Sequence, residues 1–141
     1  MKSEIRVVIA KEMEQARAHF RAERYEPCFS HLERAHILGQ RYFAWHLFTH
    51  AWMLRVAIRR ADLRESIGQI VRLIAVVPGY LLGWVPKGNS GGANVSAIKP
   101  MPAPDDLAPL IADYNVWNDV AKRCLLWLIV IGALTAGMSF A

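Results

Sequence analysis

The chain has 141 residues, 54% of them apolar and 21% charged, which suits one compact core and excludes intrinsic disorder. Two cysteines, Cys28 and Cys124, exclude a disulfide framework and a Cys-rich zinc site. Most of the net charge of +5 falls in residues 41–72, where Arg41, Arg55, Arg59, Arg60, Arg64 and Arg72 outnumber Asp62 and Glu65. That segment reads as a solvated helix face or as a contact for anionic lipid headgroups. No nucleic-acid motif accompanies it, so no nucleic-acid partner is expected, and no nucleotide-cofactor motif occurs. The opening residues, Met1 to Arg6, carry closely spaced charges and no apolar run, unlike a secretory signal.

Apolar residues at Ile5, Ile9, Ala16 and Phe20 predict a first helix over residues 4–23. Tyr25, Phe29, Leu32 and His36 continue the helical period in a second, which Pro27 opens and Gly39 closes. A third is expected from about Tyr42 to Arg60. Asp62, with Glu65 three residues on, has capping-box spacing ahead of Ile67, Ile70, Val71 and Ile74. The apolar stretch from Leu73 to Val85 is interrupted by Pro78-Gly79 and reads as a core helix followed by a turn. No segment alternates like a strand.

A faint repeat of 38 residues pairs Tyr25 with Leu63, Phe29 with Ile67, Leu32 with Ile70, and Arg34 with Arg72. The expected class is therefore all-α: two antiparallel helix hairpins, tetratricopeptide-like or a four-helix bundle, plus a C-terminal transmembrane helix. The expected domain organisation is a helical bundle over 1–85, a Gly/Pro-rich loop over 86–104, a connecting helix over 105–123 and a membrane anchor over 124–141. In the loop, Lys87, Gly88, Asn89, Gly91, Gly92 and Asn94 can form an anion-binding nest, or the segment can be a strap over the bundle.

The tail from Cys124 to Ala141 holds 18 residues without a charge, about 27 Å as a helix, close to the thickness of a bilayer core. Lys122-Arg123 precede it, and Trp127 lies at the same end. This predicts a tail anchor in a bacterial inner membrane, with lipid as partner and the bulk of the chain facing the cytoplasm. A buried C-terminal helix is the alternative.

The blocks HLERAHILGQ and GNSGGANVSAIKPMP, with HxxxH between them, resemble a small bacterial all-helical family catalogued as a domain of unknown function. The resemblance covers roughly residues 5–108. It implies an all-helical domain with His, Glu and Gly-Asn positions as shared signatures, and it carries no activity.

Helical-wheel angles put Glu12 on the apolar arc of the first helix, and Glu33 and His36 on that of the second. His31 falls on the far side. Glu33-Arg-Ala-His36 has the Glu-x-x-His spacing of carboxylate-bridged di-metal bundles, and His46 and His50 lie one turn apart on the third helix. Glu12, Glu33, His36, His46 and His50 thus form the candidate ligand set for Fe, Mn or Zn, serving an oxygen-activating or metal-handling protein. Two other readings stay open: a structural polar network, and metal-free acid–base chemistry. A tetratricopeptide-like interaction module, holding a protein partner on Trp45, Phe48, Trp52, Arg55 and Arg59, is the alternative function.

Overall fold

The computed structural model describes residues 1–139, with the side chain of Ser139 left aside. The chain forms α1 (Ser3–Arg21), α2 (Tyr25–Gly39), α3 (Phe43–Arg59), α4 (Leu63–Leu82), a single 3-10 turn (Ala108–Ile111) and α5 (Val116–Ser139). No strand occurs among the described residues. Each of α1 to α4 packs on its neighbour in the chain, and the short links force an antiparallel succession of two hairpins, α1/α2 and α3/α4. The core lies between α1, α2 and α3, where Ile9, Met13, Leu32, Leu38, Met53 and Val56 are fully buried.

The 38-residue repeat is present in the backbone. Both hairpins turn through a left-handed residue, Glu23 (φ 57°) in the first and Ala61 (φ 52°) in the second. The bonds around them match as well: Arg24 N–H to His19 O and Asp62 N–H to Ala57 O are both 2.9 Å. Burial does not repeat. Leu32 is fully buried, whereas its counterpart Ile70 is 49% exposed, and Ile67 and Ile74 are exposed too. The reason is position: α2 sits between α1 and α3, while α4 packs along α3 and meets only the start of α5, near its C-terminal end. What α4 turns inward is polar, Gln69 and Arg72, with Val76.

Asp62 caps α4 by accepting the Glu65 N–H at 2.9 Å, the half of the capping box that its spacing predicts. The Glu65 carboxylate goes elsewhere, to the loop. Pro78-Gly79 does not end the helix: α4 continues to Leu82 and closes on Gly83, whose φ of 76° suits glycine. A proline removes one main-chain donor, which a 20-residue helix tolerates.

The segment expected as a connecting helix over 105–123 is divided. Its first part is the 3-10 turn, with Leu107 and Ile111 buried against the core, and its last part is the start of α5. The expected boundary at residues 123 and 124 therefore falls inside one continuous helix of 24 residues. That helix is fastened at its beginning. Trp127 Nε1 donates to Leu81 O at 3.1 Å, and the Arg123 guanidinium lies 4.9 Å from the centre of the Tyr80 ring. From Leu125 onward the described side chains are exposed, apart from the half-buried Val130. By length and hydropathy the Ala108–Met138 stretch can cross a membrane, and Leu63–Leu82 meets the same criterion.

Candidate metal centre

Three histidines meet where α2 and α3 face α4 and the loop. His36 comes from α2; His46 and His50 come from successive turns of α3. They are 2%, 7% and 2% exposed, and one nitrogen from each lies within 4.8 Å of the others.

Hydrogen bonds fix the tautomers of two of them. His36 Nδ1–H donates to Asn89 O at 3.0 Å, since a carbonyl only accepts. His50 Nδ1 meets Gln69 Oε1 at 2.7 Å. Gln69 is itself oriented, because its Nε2 donates to Glu65 Oε1 (2.6 Å) and Gly91 O (2.9 Å). His50 Nδ1 is therefore the donor. Both Nε2 atoms then carry lone pairs, and they face each other at 3.2 Å.

Two lone pairs at that distance repel unless a proton or a cation stands between them. Protonation is opposed: burial pushes His46 down to about 3 and His50 to about 4, and it holds His36 well below the usual imidazole range, with His50 and His46 adding to the effect. A cation suits the geometry. With metal–nitrogen bonds of about 2.0–2.1 Å and a tetrahedral angle, two imidazole nitrogens stand roughly 3.3 Å apart. Ligating histidines characteristically donate the other ring N–H to a carbonyl or amide oxygen, as His36 and His50 do.

The loop that completes the centre is held by its main chain. Arg72 donates from Nε to Gly91 O (2.9 Å) and from Nη2 to Gly92 O (2.7 Å) and Val95 O (2.6 Å). The Ala93 N–H binds the Glu65 carboxylate at 3.0 Å. Asn89, 2% exposed, donates to Ser96 O and Lys99 O and accepts the Gly91 N–H. Gly91 has φ 86°, and a Cβ there would stand 2.9 Å from the His36 ring. Only glycine lets the strap lie this close to the His36 ring.

This arrangement corrects the expected anion nest. The Gly91 N–H is committed to Asn89, Lys87 Nζ donates to Ala112 O (3.3 Å), and Gly88 lies against Met101 O. Asn94 is exposed beside Gly92. The loop presents the carbonyls of Gly91, Gly92 and Val95 to a guanidinium, and the N–H it gives to an anion, that of Ala93, goes to the fold's own Glu65.

The carboxylates of the expected ligand set lie elsewhere. Glu12 faces inward, as its angle on the helix predicts, but toward α2: His31 Nδ1 meets its Oε2 at 2.7 Å and Arg34 Nε donates to its Oε1 at 2.8 Å. Arg34 also binds Asp106 beyond the loop. His31, expected on the far side without a role, is the partner of Glu12 and stacks on His19 at 5.3 Å. Glu33 lies on the loop side of α2, half-buried near Ser90 and Gly92, where burial raises its pKa. The five expected ligands thus separate into three histidines and two carboxylates with other neighbours. Gln69 and Arg72 were not legible as site residues. Their spacing of three within the largely apolar run from Ile67 to Leu82 was the available signal.

The three imidazoles form part of the wall of a cavity of about 280 Å³. The rest is largely apolar, with Val76, Leu82, Trp84 and Ile98, and Gln40 lines the same cavity. Among the described residues, two buried polar atoms of this lining have no hydrogen-bond partner, His46 Nδ1 and Gln40 Oε1. On the surface expected to hold a protein, Phe48, Arg55 and Arg59 are exposed. The Arg55 guanidinium lies over Phe20 (4.9 Å) and Trp52 (5.2 Å), and Arg17 lies over Trp52 at 5.8 Å.

Residues 3–111 match the family model described as "Protein of unknown function (DUF3703)", and the chain belongs to that family. No curated protein and no solved structure matches it.

Proposed function

We propose that this member of a family of unknown function binds one transition-metal ion through His36, His46 and His50, and that α5 anchors it in a membrane. The observation that carries the metal reading is the pair of Nε2 lone pairs at 3.2 Å with both Nδ1 atoms already committed. Of the ions expected from the sequence, zinc suits three neutral imidazoles best. Iron and manganese sites of this size ordinarily include a carboxylate, and here both carboxylates lie elsewhere. Three ligands leave a fourth position, the arrangement of a reactive or exchanging site rather than a closed structural one.

The membrane reading rests on the exposed apolar length of α5 and on Lys122-Arg123 with Trp127 at its body-proximal end. In a bacterial inner membrane this charge bias puts the helical body on the cytoplasmic side, with lipid around α5.

The metal test is elemental analysis of the full chain, purified in detergent without a histidine tag or chelator. One equivalent of zinc or a neighbouring transition ion per chain is expected. Less than about a tenth of an equivalent, unchanged after addition of zinc and desalting, would refute the reading. For the anchor, deletion of residues 122–141 should move the protein from the membrane fraction to the supernatant with its helicity retained. Loss of the cooperative melt would instead make α5 part of the core.

A further inference from the structure

Gln40 caps the C-terminal end of α2 and is 1% exposed. Its Nε2 donates to Ile37 O at 3.3 Å, which fixes the orientation of the amide. Its Oε1 is then a buried acceptor that receives no hydrogen bond, in the wall of the cavity that the three histidines share. Leaving such an acceptor bare inside a protein is costly, and few groups near it can donate. Arg72 Nε and Nη2 are occupied by three loop carbonyls, and the Asn89 amide by two. His46 Nδ1, the other unpartnered atom of this wall, makes no hydrogen bond to it, so the donor sought is one that enters the cavity.

We infer that Gln40 selects the ion's fourth ligand: a small protic molecule that gives one lone pair to the metal and one O–H or N–H to Gln40 Oε1. Water and ammonia belong to this class; azide, which has no hydrogen, does not. The inference rests on the three-histidine metal reading. It adds a specificity-determining residue outside the ligand set, and it assigns the cavity to protic ligands.

The consequence for exchange is directional. In the wild-type protein an aprotic ligand must displace a water that is bonded to Gln40, and it leaves that acceptor bare. Removing the acceptor removes that penalty. With the full chain loaded with Co(II), whose visible bands report coordination, azide should bind about tenfold more tightly to Gln40→Leu than to wild type. Ammonia at pH 9 replaces one donor by another, so its affinity should agree within about twofold between the two proteins. Gln40→Met, which keeps the length without a strong acceptor, should behave like Gln40→Leu and serves if the leucine variant is not helical.

Failure of the inference and failure of the metal reading are distinct. If no cobalt is retained, the metal reading falls and the inference with it. If cobalt is retained but azide affinity is the same in wild type and both variants, Gln40 does not face the fourth ligand. If the bands ignore azide and ammonia alike, the ion has no exchangeable position. Either of these last two results overturns the inference alone.

Discussion

The two hairpins use the same positions for opposite ends. In the first, Glu12 on α1 meets His31 on α2 at 2.7 Å, and Arg34 lies three residues further on. One repeat later the same positions are His50, Gln69 and Arg72, and His50 meets Gln69 at 2.7 Å as well. In the first hairpin a carboxylate receives two donors, one of them a guanidinium, and the cluster is closed by charge. In the second the inward group is an imidazole held through one nitrogen, so its other nitrogen remains a lone pair aimed at His36. A buried polar position becomes structural when its neighbours complete it. It becomes a ligand when they leave one atom over.

The sharpest way to break this comparison is to remove a lone pair. His50→Ala should lower zinc affinity by roughly a hundredfold or more while helicity persists, whereas His31→Ala should leave zinc content unchanged. Equal loss in the two variants, measured by competition with a chromophoric chelator, would show that the hairpins are not distinct.

Breaking the charge cluster should do the reverse. Glu12→Gln leaves His31 without its anion and takes one of two carboxylates from Arg34, which keeps Asp106 and is partly solvated (side chain 30% exposed), and both moderate the loss. A cost of about 2 kcal/mol in urea unfolding is expected, with one equivalent of zinc still bound. A zinc-free Glu12→Gln that melts like wild type would return Glu12 to the ligand set.

Gly91→Ala tests the strap. The new methyl would meet the His36 ring in a backbone region that favours glycine, so His36 must shift. Zinc affinity should fall about tenfold to a hundredfold, the range for a displaced supporting contact. Gly92→Ala, whose Cβ would meet the Asn94 and Glu33 side chains instead, should change it less.

The mildest test is pH. In metal-free protein the three histidines are held below 6.5 by burial, so below that value the unfolded chain binds more protons than the native one. Native stability should be level above about pH 6.5 and should fall as pH drops toward 4. The slope should approach roughly 1.4 kcal/mol per pH unit for each histidine that is kept neutral. A flat profile between pH 7.5 and 5 would mean that the histidines are solvated.

Much of this was legible in the sequence. The periodicity of Ile5, Ile9 and Ala16 located α1, and the angle of His36 with the one-turn spacing of His46 and His50 picked out three residues that lie together. Glu12 and Glu33 went astray because a helical wheel says that a residue faces inward without saying which neighbour it meets. The inward side of α4 was concealed for a different reason. Its apolar residues predict burial of Ile67, Ile70 and Ile74, yet an edge helix can turn Gln69 and Arg72 in when a loop offers carbonyls to receive them. The loop's own direction, carbonyls inward, depends on backbone angles that its glycines leave open.

The strap is gripped by atoms that every residue possesses. Arg72 and Gln69 take hold of the carbonyls of Gly91, Gly92 and Val95, and Glu65 takes the N–H of Ala93. The exposed Asn94 side chain therefore has little say in how the strap lies over His36, whereas the half-buried Ala93 packs on Gly68 of α4. Descendants of this chain can rewrite the exposed side of the strap, its charge and shape, without moving the histidines beneath, provided that Asn89 and Gly91 stay. The protein has separated what it shows to its surroundings from what it holds inside.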